Sequence, residues 1–241
     1  MPLERATPET EASWNADLAD RPPDEILAWA RERFGPGLTL ACSFGGVTGM
    51  VLLDMAARVT PDLRVVTLDT GFLFPETVAT RERAAQRYGV TPLIFRPRRT
   101  PEEQDAEHGP ALWERDSDTC CALRKVEPNR RALADASAWI AGLRRDQSRT
   151  RDAIVPIVWD GAFSMYKLAP LFAWTEEDCW DYVGRHRVPV NPLHADGYPS
   201  IGCTHCTRRV VPGDDLRAGR WTGASKTECG LHIATTKTVA R

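Results

Sequence analysis

The apolar positions of the chain change period several times, and those changes mark its elements. Residues 23–34 place Ile26, Leu27, Ala30 and Phe34 at helical spacing, open on proline and acids, and stop at Gly35-Pro36. That pattern predicts an amphipathic helix. The residues before it, about 1–22, read as a loose N-terminal arm or a short helix. Residues 38–42 form a short apolar run, Ser43-Phe44-Gly45-Gly46 a glycine-containing turn, and residues 47–58 a helical pattern. The same strand, loop and helix recur over residues 63–68, Asp69-Thr70-Gly71 and residues 76–88, with a further strand predicted over 92–95. Strands alternating with helices predict an α/β fold, a parallel twisted sheet with flanking helices. Ligands of such sheets bind beyond the carboxyl ends of the strands, so the loops opening at Ser43 and Asp69 are expected to face one crevice.

Beyond residue 110 the periodicity weakens, although 138–143 and 154–159 read as strands and 175–185 as a capped helix. The last 40 residues, rich in Gly, Arg and Thr, predict a mobile tail over a site, about 222–241. No repeat or linker divides the chain, and its 241 residues are read as one domain.

Composition narrows the function. With 31 Lys+Arg against 33 Asp+Glu, a net charge of −2 and 42% apolar residues, neither global disorder nor a general nucleic-acid binder is expected. No apolar run approaches the roughly 20 residues of a membrane span, and the first residues lack the apolar stretch of a signal peptide. A soluble cytoplasmic protein is the expectation. The charge is nevertheless uneven: residues 203–241 hold 7 basic and 3 acidic side chains, whereas residues 1–36 hold 4 and 8. A local anion site accounts for this better than a charged surface.

Seven cysteines in a reducing compartment read as ligands or reactive thiols rather than as a disulfide framework. Cys120-Cys121 and Cys203-x-x-Cys206 are two pairs separated by 81 residues. Four thiolates gathered by folding would satisfy an iron–sulfur cubane. A structural zinc and a redox-active C-x-x-C are the alternatives, though adjacent cysteines suit a larger cluster more readily than one tetrahedral ion. Cys42 and Cys179 lie in apolar runs and are expected in the core. Cys229 is left over, and Arg217, Arg220, Lys226 and His232 around it in sequence are the groups that can hold a thiolate ready as a nucleophile.

Two further segments suit anions. The turn from Ser43 through Gly46 to Gly49 lies between a strand and a helix, where backbone N–H groups and the helix dipole hold phosphates, but it lacks the Gly-Lys-Ser/Thr ending of a Walker loop. The segment 142–151 carries four arginines after a predicted strand, with Lys125 close behind the double cysteine. Guanidinium forks suit oxyanions, and a solvated basic face is the plainer reading.

Five ordered blocks then become familiar: Cys-Cys-Ala-Leu-Arg-Lys at 120–125, Gly-Leu-Arg-Arg-Asp-Gln-Ser at 142–148, Gly-Cys-Thr-His-Cys-Thr-Arg at 202–208, Arg-Ala-Gly-Arg-Trp at 217–221 and Glu-Cys-Gly-Leu-His at 228–232. Over Leu38 to His232 the sequence resembles the assimilatory adenylyl-sulfate reductases, the cluster-containing branch of the phosphoadenylyl/adenylyl-sulfate reductases. The resemblance implies an adenine-nucleotide α-hydrolase-like fold and a [4Fe-4S] cluster on Cys120, Cys121, Cys203 and Cys206. It implies Cys229 as the nucleophile that attacks adenosine 5′-phosphosulfate, leaving an S-sulfocysteine from which thioredoxin, or a glutaredoxin-like reductant, frees sulfite. It also implies that Ser43, Gly46, Leu68 and Gly142 line the nucleotide site while Lys125, Arg151, Arg217, Arg220 and His232 surround the phosphosulfate. One departure stands out. A pyrophosphatase-type loop carries Ser, Gly, Gly, an acid and Ser, whereas Phe44, Thr48 and Gly49 occupy the polar positions here. That weakens the rival reading as a tRNA-thiolating ATP pyrophosphatase. Phosphoadenylyl-sulfate reductase, which lacks the cluster cysteines, is the nearer rival, and a zinc-stapled binding protein the non-enzymatic one.

Overall fold

The computed structural model describes residues 4–211, 213–222, 226 and 228–232. The N-terminal residues left open between an arm and a short helix include a helix, α1 (Pro8–Leu18), capped by the Thr7 side chain. The amphipathic segment follows as α2 (Pro23–Phe34), with acids in its first turn, arginines in its last and Gly35 at φ 61° ending it. Then come β1 (Leu38–Ala41), α3 (Val47–Val59), β2 (Arg64–Leu68), α4 (Pro75–Tyr88) and β3 (Leu93–Phe95). These match the predicted strand–helix alternation to within a residue or two.

The middle of the chain is built from short helices: α5 (Pro101–His108), α6 (Leu112–Arg115), α7 (Ser117–Cys121), a π-helical turn over Ala122–Val126, and α8 (Glu127–Ala132). Three strands follow, β4 (Ala138–Ala141), β5 (Ile157–Asp160) and β6 (Met165–Leu168), and then α9 (Glu176–His186), which opens on a capping box of Thr175 and Asp178.

The six strands form one sheet in the order β3-β2-β1-β4-β6-β5. Every pairing is parallel except β5 with β6. The exception leaves the sheet predominantly parallel, as expected, and its cause is local. Only residues 161–164 separate β5 from β6, enough for a hairpin and far too few for a parallel crossover. β5 is an edge strand, and Asn15 of α1 closes part of that edge, donating to the Ile157 carbonyl at 2.9 Å and accepting from its N–H at 3.1 Å.

The core lies between the sheet and its helices. β4 is buried throughout, and α3 is buried along most of its length, which is why its residues are apolar nearly all round. Its buried Asp54 accepts hydrogen bonds from Tyr88 and Tyr182 at 2.9 and 2.7 Å. Cys42 and Cys179 belong to this core as expected. Burial pushes the Cys42 thiol up to about 12 and the Cys179 thiol up to about 11. No helix among the described residues is long and apolar enough to cross a membrane.

β1 sits at the reversal of strand order, with β2 on one side and β4 on the other. Sheets of this kind open a crevice at such a point, beyond the strand ends.

Candidate active site

The loops after β1 and β4 form the floor of that crevice. Phe44 takes a left-handed backbone at φ 57° with its ring fully buried, which turns the chain sharply out of β1 and leaves Ser43 exposed. Gly46 opens α3 with no side-chain cap, so the first N–H groups of that 13-residue helix face the crevice without a side-chain acceptor. Gly142 is needed where the β4 loop passes α3, since a Cβ there would stand 3.3 Å from the backbone nitrogen of Gly49. Thr48, one of the departures from a pyrophosphatase loop, is turned inward to accept from Arg144 and, at 3.3 Å, from Gln147. The crevice, a cavity of about 250 Å³, is lined by Ser43, Gly46, Leu68 and Gly142 from the strand ends, and by Lys125, Arg151, Arg217, Arg220, Cys229 and His232 on the far side. The structure therefore brings together every residue expected to meet substrate.

Of the four arginines in 142–151, only Arg151 faces an anion of the terminal segment. Arg144 is fully buried and bonds Asp146 and Glu176, while Arg145 bonds the Ile154 carbonyl and lies over the Phe172 ring. Arg151 meets Glu228 through Nε and Nη2, at 2.8 and 2.9 Å from the two carboxylate oxygens, and Arg217 Nη2 stands 3.3 Å from the second oxygen. Burial, with Arg151 alongside, pushes Arg217 down to about 10. Arg220 is tied to the Cys206 carbonyl at 3.1 Å and the Ser200 hydroxyl at 3.2 Å.

His232 is enclosed. Burial first, then Arg151 and Lys167, hold its imidazole well below the usual histidine range, so the ring is neutral near pH 7, stacked against Trp139. Its Nδ1 has no hydrogen-bond partner among the described residues.

Three groups in this site escaped sequence reasoning. Lys167 of β6 is buried against Asp160, lies over the Trp139 ring and donates to the Leu231 carbonyl at 3.4 Å, anchoring the segment that carries Cys229. Glu228 is the shared acceptor of Arg151 and Arg217. Trp221, buried at φ 47°, faces four cations, Lys125, Arg217, Arg220 and Lys226, each within 6 Å of its ring. Trp221 and Glu228 carried a signal, as the residues that close Arg-Ala-Gly-Arg-Trp and open Glu-Cys-Gly-Leu-His, and Lys167 carried none.

Behind the crevice, Cys120 and Cys121 at the end of α7 and Cys203 and Cys206 around a short 3-10 turn are all buried, free thiols lining one small cavity. A β-bridge between Leu73 and Cys203 sets the second pair against the loop after β2, and Thr70 Oγ1 lies 3.3 Å from Cys203 Sγ. Phe72, Trp113 and His205 wall the cavity, the last two stacked face to face at 3.8 Å. Burial and the neighbouring thiols push Cys120 up to about 12. Lys125 lines both this cavity and the crevice. Arg124 is buried and bonds neutral oxygens only, those of Gln104, Thr70, Arg99 and Thr100. Among the described residues neither Arg124 nor Lys125 has a carboxylate within ion-pair distance, and no three His, Cys, Asp or Glu side chains are set to hold a single metal ion.

Of the tail expected to be mobile, residues 223–225, 227 and 233–241 lie outside the described residues, while Cys229, Leu231 and His232 line the crevice.

A parallel-dominated sheet with a cation-lined crevice at its switch point is the architecture of the nucleotide-binding α/β proteins. Comparison with known proteins carries the assignment further. Residues 37–209 match the phosphoadenosine phosphosulfate reductase domain, and the chain belongs to that family. It is 48% identical over 233 residues to an adenosine 5′-phosphosulfate reductase of Streptomyces coelicolor, covering 95% of this chain and 97% of that one. It is 47% identical over 211 residues to the Geobacillus kaustophilus protein of the same name, covering 87% and 89%. Among solved structures, the phosphoadenylyl-sulfate reductase of Candida auris, in a phosphate complex, superposes with a TM-score of 0.76 at 31% identity, covering 85% of this chain and 98% of that one.

Proposed function

We propose that the protein reduces adenosine 5′-phosphosulfate to sulfite and AMP, as its relatives named for that activity do, with Cys229 as nucleophile and a thioredoxin- or glutaredoxin-like dithiol as reductant. The observation that carries this reading is that Cys229, the one partly exposed thiol of the three lining the strand-end crevice, stands there with Lys125, Arg151, Arg217 and Arg220.

In this reading Ser43, Gly46, Leu68 and Gly142 receive the adenylyl group, and the cations with neutral His232 surround the phosphosulfate. The Cys229 thiolate donates an electron pair to the sulfate sulfur. An S–S bond forms, the S–O bond to phosphate breaks, and AMP leaves with that bond's pair. A reductant thiolate then attacks Cys229 Sγ, sulfite departs with the S–S pair, and the second reductant thiol resolves the mixed disulfide. Thiolate and substrate are both anions; two like charges at about 4 Å repel by roughly 4 kcal/mol at an effective dielectric of about 20. Uncompensated, that costs on the order of a thousandfold in rate. The guanidinium groups offset it and neutralise charge growing on the leaving phosphate oxygen. Because a bulky reductant must reach the sulfonated thiol, the segment 228–232 leaves the crevice between the two steps.

Cys120, Cys121, Cys203 and Cys206 would hold a [4Fe-4S] cluster. The donor set fits: four free buried thiols surround a cavity rather than a point, and Arg124 and Lys125 are buried cations without carboxylate partners among the described residues. Such a group would supply buried negative charge and structural support beside Lys125; both electrons of the reaction come from the reductant dithiol, relayed through Cys229. The parent protein is expected to be brown with iron and acid-labile sulfide, and Cys203→Ser colourless. Equal iron and colour in the two would overturn this assignment.

The test of the reaction is mass spectrometry after incubation with adenosine 5′-phosphosulfate and no reductant. A sulfonate on Cys229, one AMP released per adduct and faster proteolysis around residues 228–232 are expected. An unmodified Cys229 refutes the mechanism, and preference for the 3′-phosphorylated nucleotide in competition would reassign the substrate.

A further inference from the structure

Among the described residues Glu228 is the acidic residue of the crevice wall that bonds Arg151 and Arg217, and no role in the reaction just described employs it. Its carboxylate takes the Arg151 fork with both oxygens and shares the second with Arg217. The three side chains are 8%, 11% and 16% exposed, so this is a contact largely shielded from water. Two buried guanidinium groups side by side repel, and a planar pair of oxygens relieves them in the same geometry that a phosphate or sulfate presents. One fork cannot serve two such anions, and two anions in one cavity repel each other.

We propose that Glu228 is an internal stand-in for the substrate oxyanion: it occupies the Arg151–Arg217 pair before substrate arrives, seats the adjacent Cys229 in the crevice, and is displaced by the incoming phosphosulfate. This rests on the reading that the nucleotide's anionic groups bind at these arginines. Displacement frees the backbone next to the thiol, with Gly230 at φ 84° as the flexible residue on its other side. Glu228 is thus a positioning residue for Cys229, and the arrival of substrate is coupled to movement of the thiol.

The proposal makes an unusual prediction of sign: removing a charge from the site tightens an anionic ligand. Titration of the parent protein, Glu228→Gln and Glu228→Asp with AMP tests it. The glutamine variant is expected to bind AMP about tenfold more tightly, because a neutral amide competes weakly for guanidinium, while S-sulfonation of Cys229 at saturating substrate slows severalfold. The aspartate variant, which keeps the competing charge, stays within about threefold of the parent. Unchanged or weaker AMP binding by Glu228→Gln overturns the proposal, since a merely structural role predicts weakening. A readout on the parent alone stands beside it: amide exchange of residues 228–232 rises on adding AMP, and a fall would overturn the displacement. Absence of AMP binding by the parent would instead sink the nucleotide-site reading itself.

Discussion

Cys229→Ser is expected to lower sulfite production at least about a thousandfold, a loss of about 4 kcal/mol in transition-state stabilisation, while AMP binding stays within about threefold of the parent. The argument rests on sulfur chemistry. A serine hydroxyl near neutral pH is a far weaker nucleophile than a thiolate. Were it nonetheless sulfonated, the product would be an O–S ester that a reductant thiol cannot open by attack on a protein sulfur. Both half-reactions therefore fail through one atom. The conserved charge balance of the pocket is the control, because the substitution removes no cation and leaves the Glu228 contact with Arg151 and Arg217 in place. Sulfite release and AMP titration measured on the same preparation separate lost chemistry from lost binding. Undiminished turnover would place the nucleophile elsewhere.

The parts of the molecule that could be read from the chain are those whose pattern is local and long enough to repeat. β1, α3, β2, α4 and β3 follow from apolar period and turn residues, and α9 from its capping box. The stretch containing α6, α7 and α8 could not be read, because helices of four to six residues span too little chain for a 3.6-residue period to show. β6 escaped for a different reason. It is four residues long and contains Lys167, a residue that argues against a buried strand until Asp160 across the hairpin supplies its counter-charge. α1 offers only Leu18 as a fully buried position, so its sequence resembles a polar arm.

The site divides in the same way. The cysteine pairs and the short cationic blocks are contiguous and could be read directly. Their partners could not: Arg151 and Glu228 are 77 positions apart, and only the fold makes them a pair. The converse error arose in 142–151, where four arginines within ten residues suggested one anion site. Local geometry sends Arg144 inward to Asp146, Glu176 and Thr48 and Arg145 to the neighbouring backbone, leaving Arg151 to face Glu228.

Arg144→Met should accordingly destabilise the fold before it affects the chemistry. Its guanidinium, only 1% exposed, joins three pieces of the crevice floor: Asp146 in its own loop at 2.9 Å, Glu176 at the start of α9 at 2.6 Å, and Thr48 in the first turn of α3. Methionine fills similar volume, so the cost is chiefly electrostatic: two carboxylates lose the cation between them. Breaking a buried pair typically costs about 3–5 kcal/mol. Asp146 and Glu176 remain 29% and 26% exposed, so water screens their residual charge and sets the expectation at the lower end, about 3 kcal/mol. For a chain of this size that is a fall in Tm of about 6–12 °C. Thermal unfolding measures it, and a fall of less than about 2 °C would show that the network contributes little. AMP affinity should drop as well, because Thr48 and Gln147, which the network holds, fix the β4 loop against α3. Cys229 should remain competent for sulfonation at saturating substrate, since the segment carrying it is anchored instead by Lys167. Weakened binding with preserved sulfonation would assign Arg144 to the floor of the crevice, and the reverse pattern would move it into the reaction itself.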